Sequence, residues 1–145
     1  SSNYFGFRMP LLGNGMYDCY LSNDSLFNFQ SEAIRHIAEK GSCIFIGRCA
    51  DYVLRDNPYC VNIFINADKK DCIDRLKIKF PEMNDSQIMN LIEKGNKKRA
   101  SFYNYYSNKK WGDAETYHLC INSSSLGLEK TADLCEQFIK EKLGI

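Results

Sequence analysis

The sequence lacks three features that would place it in familiar classes of protein. It has no apolar run near the roughly 18 residues that a membrane span needs, and no secretory signal. It has no CxxC pair, and His36 and His118 lie far from any cysteine pair, so zinc spacing is absent. Its net charge is only +1, whereas a general nucleic-acid binder is usually basic throughout. We therefore expect no membrane span, no metal site and no nucleic-acid partner.

The composition is that of one globular domain. The chain has 145 residues, of which 44% are hydrophobic, enough for a single core. Its seven cysteines are odd in number, and several lie in apolar runs such as Cys43–Ile46. Free thiols in a reducing cytoplasm are the expected state. We predict a single cytoplasmic domain over residues 1–145, and the residues alone leave its oligomeric state open.

Strand-like and helical patterns alternate along the sequence. Apolar runs predict strands at Cys43–Ile46, Cys60–Ile65 and Tyr117–Ile121. Helical periodicity and capping residues predict helices over 23–41, 51–54 and 127–143. They also predict a helix that a capping box of Asp68 and Asp71 opens, and a longer helix that starts at Asn84 or Asp85. Strands apolar on both faces imply a parallel sheet covered by helices, a three-layer α/β/α fold. Three strands are few for so many helices, so we expect further strands from upstream of Ser1.

One segment concentrates positive charge and aromatic rings. Residues 94–111, called the basic segment below, have no acidic residue between Glu93 and Asp113. The cations are Lys94, Lys97, Lys98, Arg99, Lys109 and Lys110, interleaved with Phe102, Tyr103, Tyr105 and Tyr106. Charge this local favours a concentrated anion such as phosphate, although a solvated helix face is the alternative.

The aromatic residues of the basic segment have two interpretations. Tyr103 and Tyr106, spaced i to i+3, either pack the helix onto the body of the domain or stack on a nucleotide base. Packing is the favoured interpretation. Trp111, the only tryptophan, is likewise read as an anchor and not as a ligand platform.

Three polar sites follow the predicted strands, where ligands of open α/β sheets bind. They are Gly47 to Asp51, Asn66 to Asp68, and Asn122 to Ser124. At the first, Arg48 offers a planar fork of donors and Asp51 a carboxylate, which together complement the edge of a cytosine ring. The alternative is an ion pair that only anchors the loop, and Arg55 with Asp56 offers a similar pair.

Together these motifs resemble the cytidylate-kinase-like family of P-loop nucleoside monophosphate kinases. The resemblance runs from about Leu26 to the C-terminus, on the segments 47–54, 61–66, 97–106, 110–113 and 119–123. It implies a P-loop nucleoside-kinase-like fold with a helical basic lid at about 84–113. It also implies transfer of the γ-phosphoryl group of ATP to a (deoxy)cytidine monophosphate-type acceptor, with ATP and Mg²⁺ as cofactors.

The resemblance also implies roles for particular residues. Arg99 and Lys97 would reach the phosphates as catalytic groups, and Arg48 and Asp51 would read the acceptor. In the family these two residues are adjacent, whereas two residues separate them here. Tyr103 and Asp113 are further candidates for substrate contact. Ser123 and Ser124 fall where the family runs close to the adenine.

One motif of such kinases is missing from the 145 residues. No GxxxxGK[ST] occurs, and Gly13 and Gly15 lack both the lysine and the preceding strand. We expect the P-loop upstream of Ser1, and the kinase activity is conditional on it. The alternative is a non-catalytic nucleotide- or RNA-binding module that uses the basic segment.

Overall fold

Helices make up most of the structure, a computed structural model that describes residues 23–145. The chain divides into two compact units, Ser1–Cys60 and Val61–Ile145. The described residues form a helix-rich α/β fold with a small parallel sheet. The predictions for Gly13, Gly15 and the irregular first twenty residues lie outside the described residues.

The described part of the first unit, from Asn23 on, packs two helices around a small apolar core. Helix α1 (Asn23–Lys40) ends before Gly41, and α2 is the short helix Ala50–Val53. Both agree with the predicted helices to within a residue or two. The buried side chains of Ile34, Ala50 and Val53 form the core, against which Phe27, Phe45 and Leu54 pack.

The predicted strand at Cys43–Ile46 is wrong for the described structure. These residues have no regular secondary structure, and the side chains of Ile44 and Ile46 are 63% and 89% exposed. A strand is defined by hydrogen bonds to a neighbouring strand, and no described residue supplies such a partner to this segment. Apolar composition alone therefore does not make it a strand.

The second unit contains a two-stranded parallel sheet and four helices among its described residues. Strand β1 (Ile63–Asn66) pairs with β2 (Leu119–Asn122) in the register Ile63↔Leu119 to Asn66↔Asn122. The helices are α3 (Lys69–Lys79), α4 (Asp85–Ser107), α5 (Ser123–Leu126) and α6 (Leu128–Leu143). A single 3₁₀ turn, Ala114–Thr116, precedes β2. The parallel pairing of the two predicted strands is confirmed, whereas α5 was not predicted.

The starts of α3 and α4 differ from each other. Asn84 caps α4: its side chain accepts the backbone N–H of Gln87, and the Gln87 side chain accepts that of Asn84, each at 2.9 Å. The predicted start of α4 is thus confirmed. The capping box predicted for Asp68 and Asp71 is wrong, because the Asp68 side chain makes no capping bond and instead accepts from Asn122 Nδ2 at 2.9 Å. A non-local partner has replaced the local one.

Candidate functional site

The basic segment lies mainly on the C-terminal half of α4. The side chains of Lys94, Lys97, Lys98 and Arg99 are all exposed. Ion pairs among residues 23–145 join Lys70 to Asp74, Lys77 to Asp85 and Lys140 to Glu136, and none of them involves a cation of the basic segment. Their positive charge is therefore not neutralised by a carboxylate in contact within this part of the chain. These cations can receive an anionic ligand without first breaking an ion pair.

Arg99 is held against its own helix by a neutral partner. Its Nη1 atom donates to Asn96 Oδ1 at 2.9 Å. A Cβ built on Gly95 would lie 3.4 Å from the same Nη1 atom. The guanidinium therefore points back along α4 and lies over Gly95. Because an amide oxygen carries no net charge, this contact orients Arg99 without cancelling its charge.

An aromatic cluster anchors the C-terminal end of the basic segment to the sheet. Tyr103 is only 6% exposed and stacks on Tyr117 with ring centroids 6.3 Å apart. Trp111 meets Phe64 of β1 edge to face at 5.2 Å, and Phe64 meets Tyr117 at 5.0 Å. These separations are those of favourable aromatic pairs. The packing interpretation of Tyr103 and Trp111 agrees with this geometry.

Backbone hydrogen bonds fix the same end. The Trp111 N–H donates to Asn104 Oδ1 at 2.7 Å, and the Gly112 N–H donates to Tyr117 Oη at 3.2 Å. The Asp113 carboxylate accepts the Glu115 N–H at 3.3 Å and so caps the 3₁₀ turn. Asp113, predicted to contact substrate, therefore has a capping role in its own loop.

The carboxyl ends of β1 and β2 meet in a polar cluster formed by Asn66 to Asp68 and Asn122 to Ser124, two of the three segments that the sequence singled out after predicted strands. The Ser123 hydroxyl is buried and donates to the Asn66 carbonyl at 3.0 Å. The Asp68 N–H donates to Ser124 Oγ at 2.8 Å, and the Ser124 N–H donates to Asn122 Oδ1 at 2.9 Å. The hydroxyl of Ser123 is thus used to join the strands, whereas that of Ser124 keeps its own proton to donate.

A cleft of about 240 Å³ opens beside this polar cluster. Its walls combine two hydroxyls, two carboxylates and a guanidinium with small apolar surfaces, contributed by Ala67, Asp71, Asp74, Arg75, Ser123, Ser124, Gly127 and Leu128. Ser124 therefore lines a shallow concave surface that offers both donors and acceptors. Asp74 is paired with Lys70 at 2.8 Å, which lowers the pKa of this carboxyl through their hydrogen bond.

The turn that carries Arg48 has an uncommon backbone. Gly47, Arg48 and Cys49 have φ angles of 72°, 61° and 55°, three consecutive residues in the left-handed region. The Ala50 N–H donates to the Gly47 carbonyl at 3.2 Å and closes the turn. Positive φ at both central positions defines a type I′ turn, which normally uses asparagine, aspartate or glycine. Neither arginine nor cysteine prefers this conformation, so the turn holds Arg48 against its backbone preference.

The structure bears on one interpretation of Arg48 and Asp51, the ion pair that anchors the loop. They do not form an ion pair with each other, so the anchoring pair considered from the sequence is absent among the described residues. Burial, and then the charge of Asp51, raise the pKa of the Cys49 thiol to about 12. Cys49 is therefore a neutral core thiol and not a nucleophile at neutral pH.

The neighbouring arginine is committed to local contacts. Arg55 donates to the Tyr52 carbonyl at 2.8 Å, and its guanidinium lies 4.2 Å from the centre of the Tyr52 ring. The pair of Arg55 with Asp56 that the sequence offered is likewise not formed among the described residues. Of the two arginines of this region, Arg55 is therefore the one with these local contacts.

Sequence reasoning missed Asn96 and Asn104 as site residues, and it named Asn122 without predicting its contact. Asn96 holds Arg99, Asn104 holds the Trp111 backbone, and Asn122 joins Asp68. Only the spacing of Asn96 to Arg99 was a usable signal, because i to i+3 neighbours share a helix face. The contacts of Asn104 and Asn122 depend on how the chain folds and cannot be read from local spacing.

Within the described residues, no three His, Cys, Asp or Glu side chains are close enough together to hold a metal ion. The same residues include no helix with the length and hydropathy that crossing a bilayer requires.

Comparison with known proteins identifies the family. The model of the cytidylate kinase-like family matches residues 1–125, so the chain belongs to this family. Among solved structures, the chain is similar to an uncharacterized protein from Eubacterium ventriosum, with 29% identity and a TM-score of 0.77. That match covers 84% of this chain and 69% of the other. A search of curated proteins found no match. The resemblance stated from the sequence is confirmed, and the family points to a nucleotide kinase-like function.

Proposed function

We propose that this protein is a nucleoside monophosphate kinase that transfers the γ-phosphoryl group of ATP to CMP or dCMP. The proposal includes a cytoplasmic, single-domain three-layer P-loop kinase fold over residues 1–145, with a lid at about 84–113. The observation that carries it is the group of exposed cations Lys94, Lys97, Lys98 and Arg99 on α4, whose charges no described carboxylate neutralises by contact. Family membership gives these cations a ligand class, nucleotide phosphates.

The chemistry of phosphoryl transfer suits a group of exposed cations. The transition state is loose and spreads negative charge over the equatorial oxygens, so catalysis is mainly positioning and electrostatic stabilisation. We assign Arg99 and Lys97 to those oxygens, as the family resemblance implies; both side chains are exposed on α4. The acceptor phosphate is already an anionic nucleophile and needs no activated serine or cysteine.

We assign recognition of the acceptor base to Arg48 and Asp51. A cytosine ring donates from its exocyclic amino group, which a carboxylate accepts, and it offers acceptors to a guanidinium. The left-handed turn at Arg48 supports this role, since conformational strain in a natural protein is often found at functional sites. The absence of an ion pair between these two residues keeps the guanidinium available to the base.

For ATP, we assign Ser124 and the cleft beside it to the region of the adenine. Ser123 supports this site through the strand, since its buried hydroxyl is bonded to Asn66. We assign Tyr103 and Asp113 to holding the lid, because one is buried on Tyr117 and the other caps the loop.

The donor phosphates and Mg²⁺ are not assigned to residues of this chain. The 145 residues contain no GxxxxGK[ST], and their described part has no cluster of metal-ligating side chains. In such enzymes Mg²⁺ is held largely by the substrate phosphates and neutralises their charge. The steps derived for this chain are acceptor recognition and stabilisation of charge by the lid, and they are conditional on a donor-phosphate loop in the complete enzyme.

The test is turnover by the natural full-length protein with ATP, Mg²⁺ and a panel of CMP, dCMP, UMP, AMP and GMP. We expect CMP or dCMP to be the best acceptor. Equal or absent turnover across the panel would refute the acceptor assignment.

Arg99→Ala should lower kcat by about 10³-fold, as for an arginine that meets the transferred phosphoryl, with a much smaller rise in KM.

A matched control for Arg99 lies on the last helix. Lys130 is an exposed cation of α6, outside the basic segment. Lys130→Ala removes the same unit of charge and should leave kcat unchanged. If Arg99→Ala also left kcat unchanged, Arg99 would have no part in the chemistry.

A second candidate function is a non-catalytic nucleotide- or RNA-binding module. The observation that favours it is Tyr105, whose side chain is 70% exposed among the cations and can stack on a base. Salt-sensitive binding of single-stranded RNA, lost in Tyr105→Ala, with no turnover of any monophosphate would establish this function instead.

A further inference from the structure

The contact between Asn96 and Arg99 is a tether on the side chain to which the lid chemistry was assigned. The amide oxygen of Asn96 takes one N–H of the guanidinium at 2.9 Å. A guanidinium has five N–H donors, so four are left for phosphate oxygens. Among the described residues no ion pair competes for the charge. The side chain is thus oriented while its charge and most of its donors stay available.

Gly95 lies beneath the Arg99 guanidinium. It is inside the 23-residue helix α4, where glycine is less favourable than every residue except proline. A Cβ at this position would lie 3.4 Å from Arg99 Nη1 and 3.9 Å from its Cζ atom, which is ordinary van der Waals contact. Alanine would therefore fit beneath the guanidinium, and the hydrogen bond to Asn96 is what defines the direction in which Arg99 points.

We propose that Asn96 is a positioning residue that orients the Arg99 guanidinium for the transferred phosphoryl group. The proposal rests on the proposed function of Arg99. An arginine side chain loses much rotational freedom when it is immobilised, and the tether removes part of that freedom before the nucleotide binds. The acceptor is an amide, whereas a carboxylate in the same place would bind the guanidinium as an ion pair and compete with phosphate.

The test compares isosteric and truncating variants in the natural full-length protein. Asn96→Asp replaces the neutral acceptor by a charged one, and we expect kcat to fall at least tenfold with little change in KM, the size of one charge-assisted hydrogen bond. Asn96→Ala removes the tether and should lower kcat by a smaller factor. Asn96→Gln, which can re-form the bond, should restore part of the loss.

Asn90→Asp is the matched control. Asn90 is exposed on the same helix, six residues or about 9 Å along the axis from Asn96. The Asn90→Asp substitution adds the same charge without touching Arg99, so it should leave kcat nearly unchanged. Equal effects of Asn96→Asp and Asn90→Asp would overturn the proposal, because a long-range field would then explain both.

The Arg99→Ala background separates positioning from a structural role. If Asn96 acts through Arg99, Asn96→Asp should have no further effect on kcat once Arg99 is alanine. A loss that persists in that background overturns the proposal. A second readout is the NMR signal of the Arg99 side-chain N–H groups, which should show hindered rotation in the parent protein and free rotation in Asn96→Ala. If that signal is the same in both, the tether does not exist in solution and the proposal fails.

The two proposals fail in different ways. If Arg99→Ala leaves kcat unchanged, the catalytic role of Arg99 is lost and the positioning role of Asn96 with it. If Arg99→Ala lowers kcat but Asn96→Asp behaves like Asn90→Asp, only the positioning role is lost.

Discussion

Replacement of Arg48 by glycine and by alanine should separate the strain of its turn from its function. Arg48 has φ 61° within three consecutive left-handed residues. In that region a residue with a Cβ costs about 1–2 kcal/mol, which glycine avoids. Glycine also gains freedom in the unfolded chain, which offsets about 0.4–1 kcal/mol of that benefit. We therefore expect the free energy of unfolding of Arg48→Gly to exceed that of Arg48→Ala by about 1 kcal/mol.

The assay is urea unfolding of both variants, with thermal melting as a second measurement. A difference of 1 kcal/mol corresponds to about 4 °C for a domain of this size. Lys98 supplies the control, because it is exposed in the interior of α4 and the order should reverse there: Lys98→Gly should be less stable than Lys98→Ala by about 1 kcal/mol. Both Arg48 variants lack the guanidinium, so both should lose acceptor affinity equally.

One result would refute this reasoning. If Arg48→Ala is at least as stable as Arg48→Gly while the Lys98 pair behaves as expected, Arg48 is not left-handed in solution. The support that its turn gives to acceptor recognition would then be lost.

Two further predictions concern stability. Burial first, then the charges of Lys142 and Lys109, lower the pKa of His118 below 6.5, and its Nδ1 accepts the Asn62 N–H at 2.9 Å. As the pH falls, His118 is therefore protonated in the unfolded chain at a higher pH than in the folded chain. The stability that neutral His118 contributes is fully present above pH 6.5 and is lost as the pH drops from there through the folded pKa. Urea unfolding from pH 7.5 to 5.5 should show this loss, which His118→Gln should remove and His36→Gln should not. Gly95→Ala should raise the free energy of unfolding by about 1 kcal/mol through helix propensity. Gly112→Ala should lower the free energy of unfolding, because Gly112 has φ 78° and a Cβ there would lie 3.2 Å from Phe64 Cζ. Changes of the same sign for the two substitutions would contradict the geometry.

The sequence predicted those elements whose causes are local. Helix α1 was expected to stop at Gly41 and ends at Lys40, and α4 was expected to start at Asn84 or Asp85 and does so. Capping residues and helical periodicity act within a few residues, so both are readable from the chain itself. The same is true of the basic segment, whose charges are contiguous.

What the sequence could not predict depends on distant residues or on an atypical turn. Whether Cys43–Ile46 forms a strand depends on a hydrogen-bonded neighbour and not on its own apolar residues. Asp68 bonds to Asn122, 54 residues away, instead of capping α3. For the candidate site, a topological rule singled out the residues that follow the two strands, but not their contacts with each other. The type I′ turn at Arg48 was not, since neither arginine nor cysteine signals it.

The packing of Trp111 gives the protein a built-in optical probe. Trp111 is the single tryptophan of the chain, and its ring meets the edge of Phe64 on β1, at the point where the basic segment joins the sheet. Indole emission depends on how far the ring is shielded from water, so its wavelength reports on this one contact. Nucleotide titrations followed by intrinsic fluorescence would therefore detect whether the helix shifts on its anchor, with no label and no substitution.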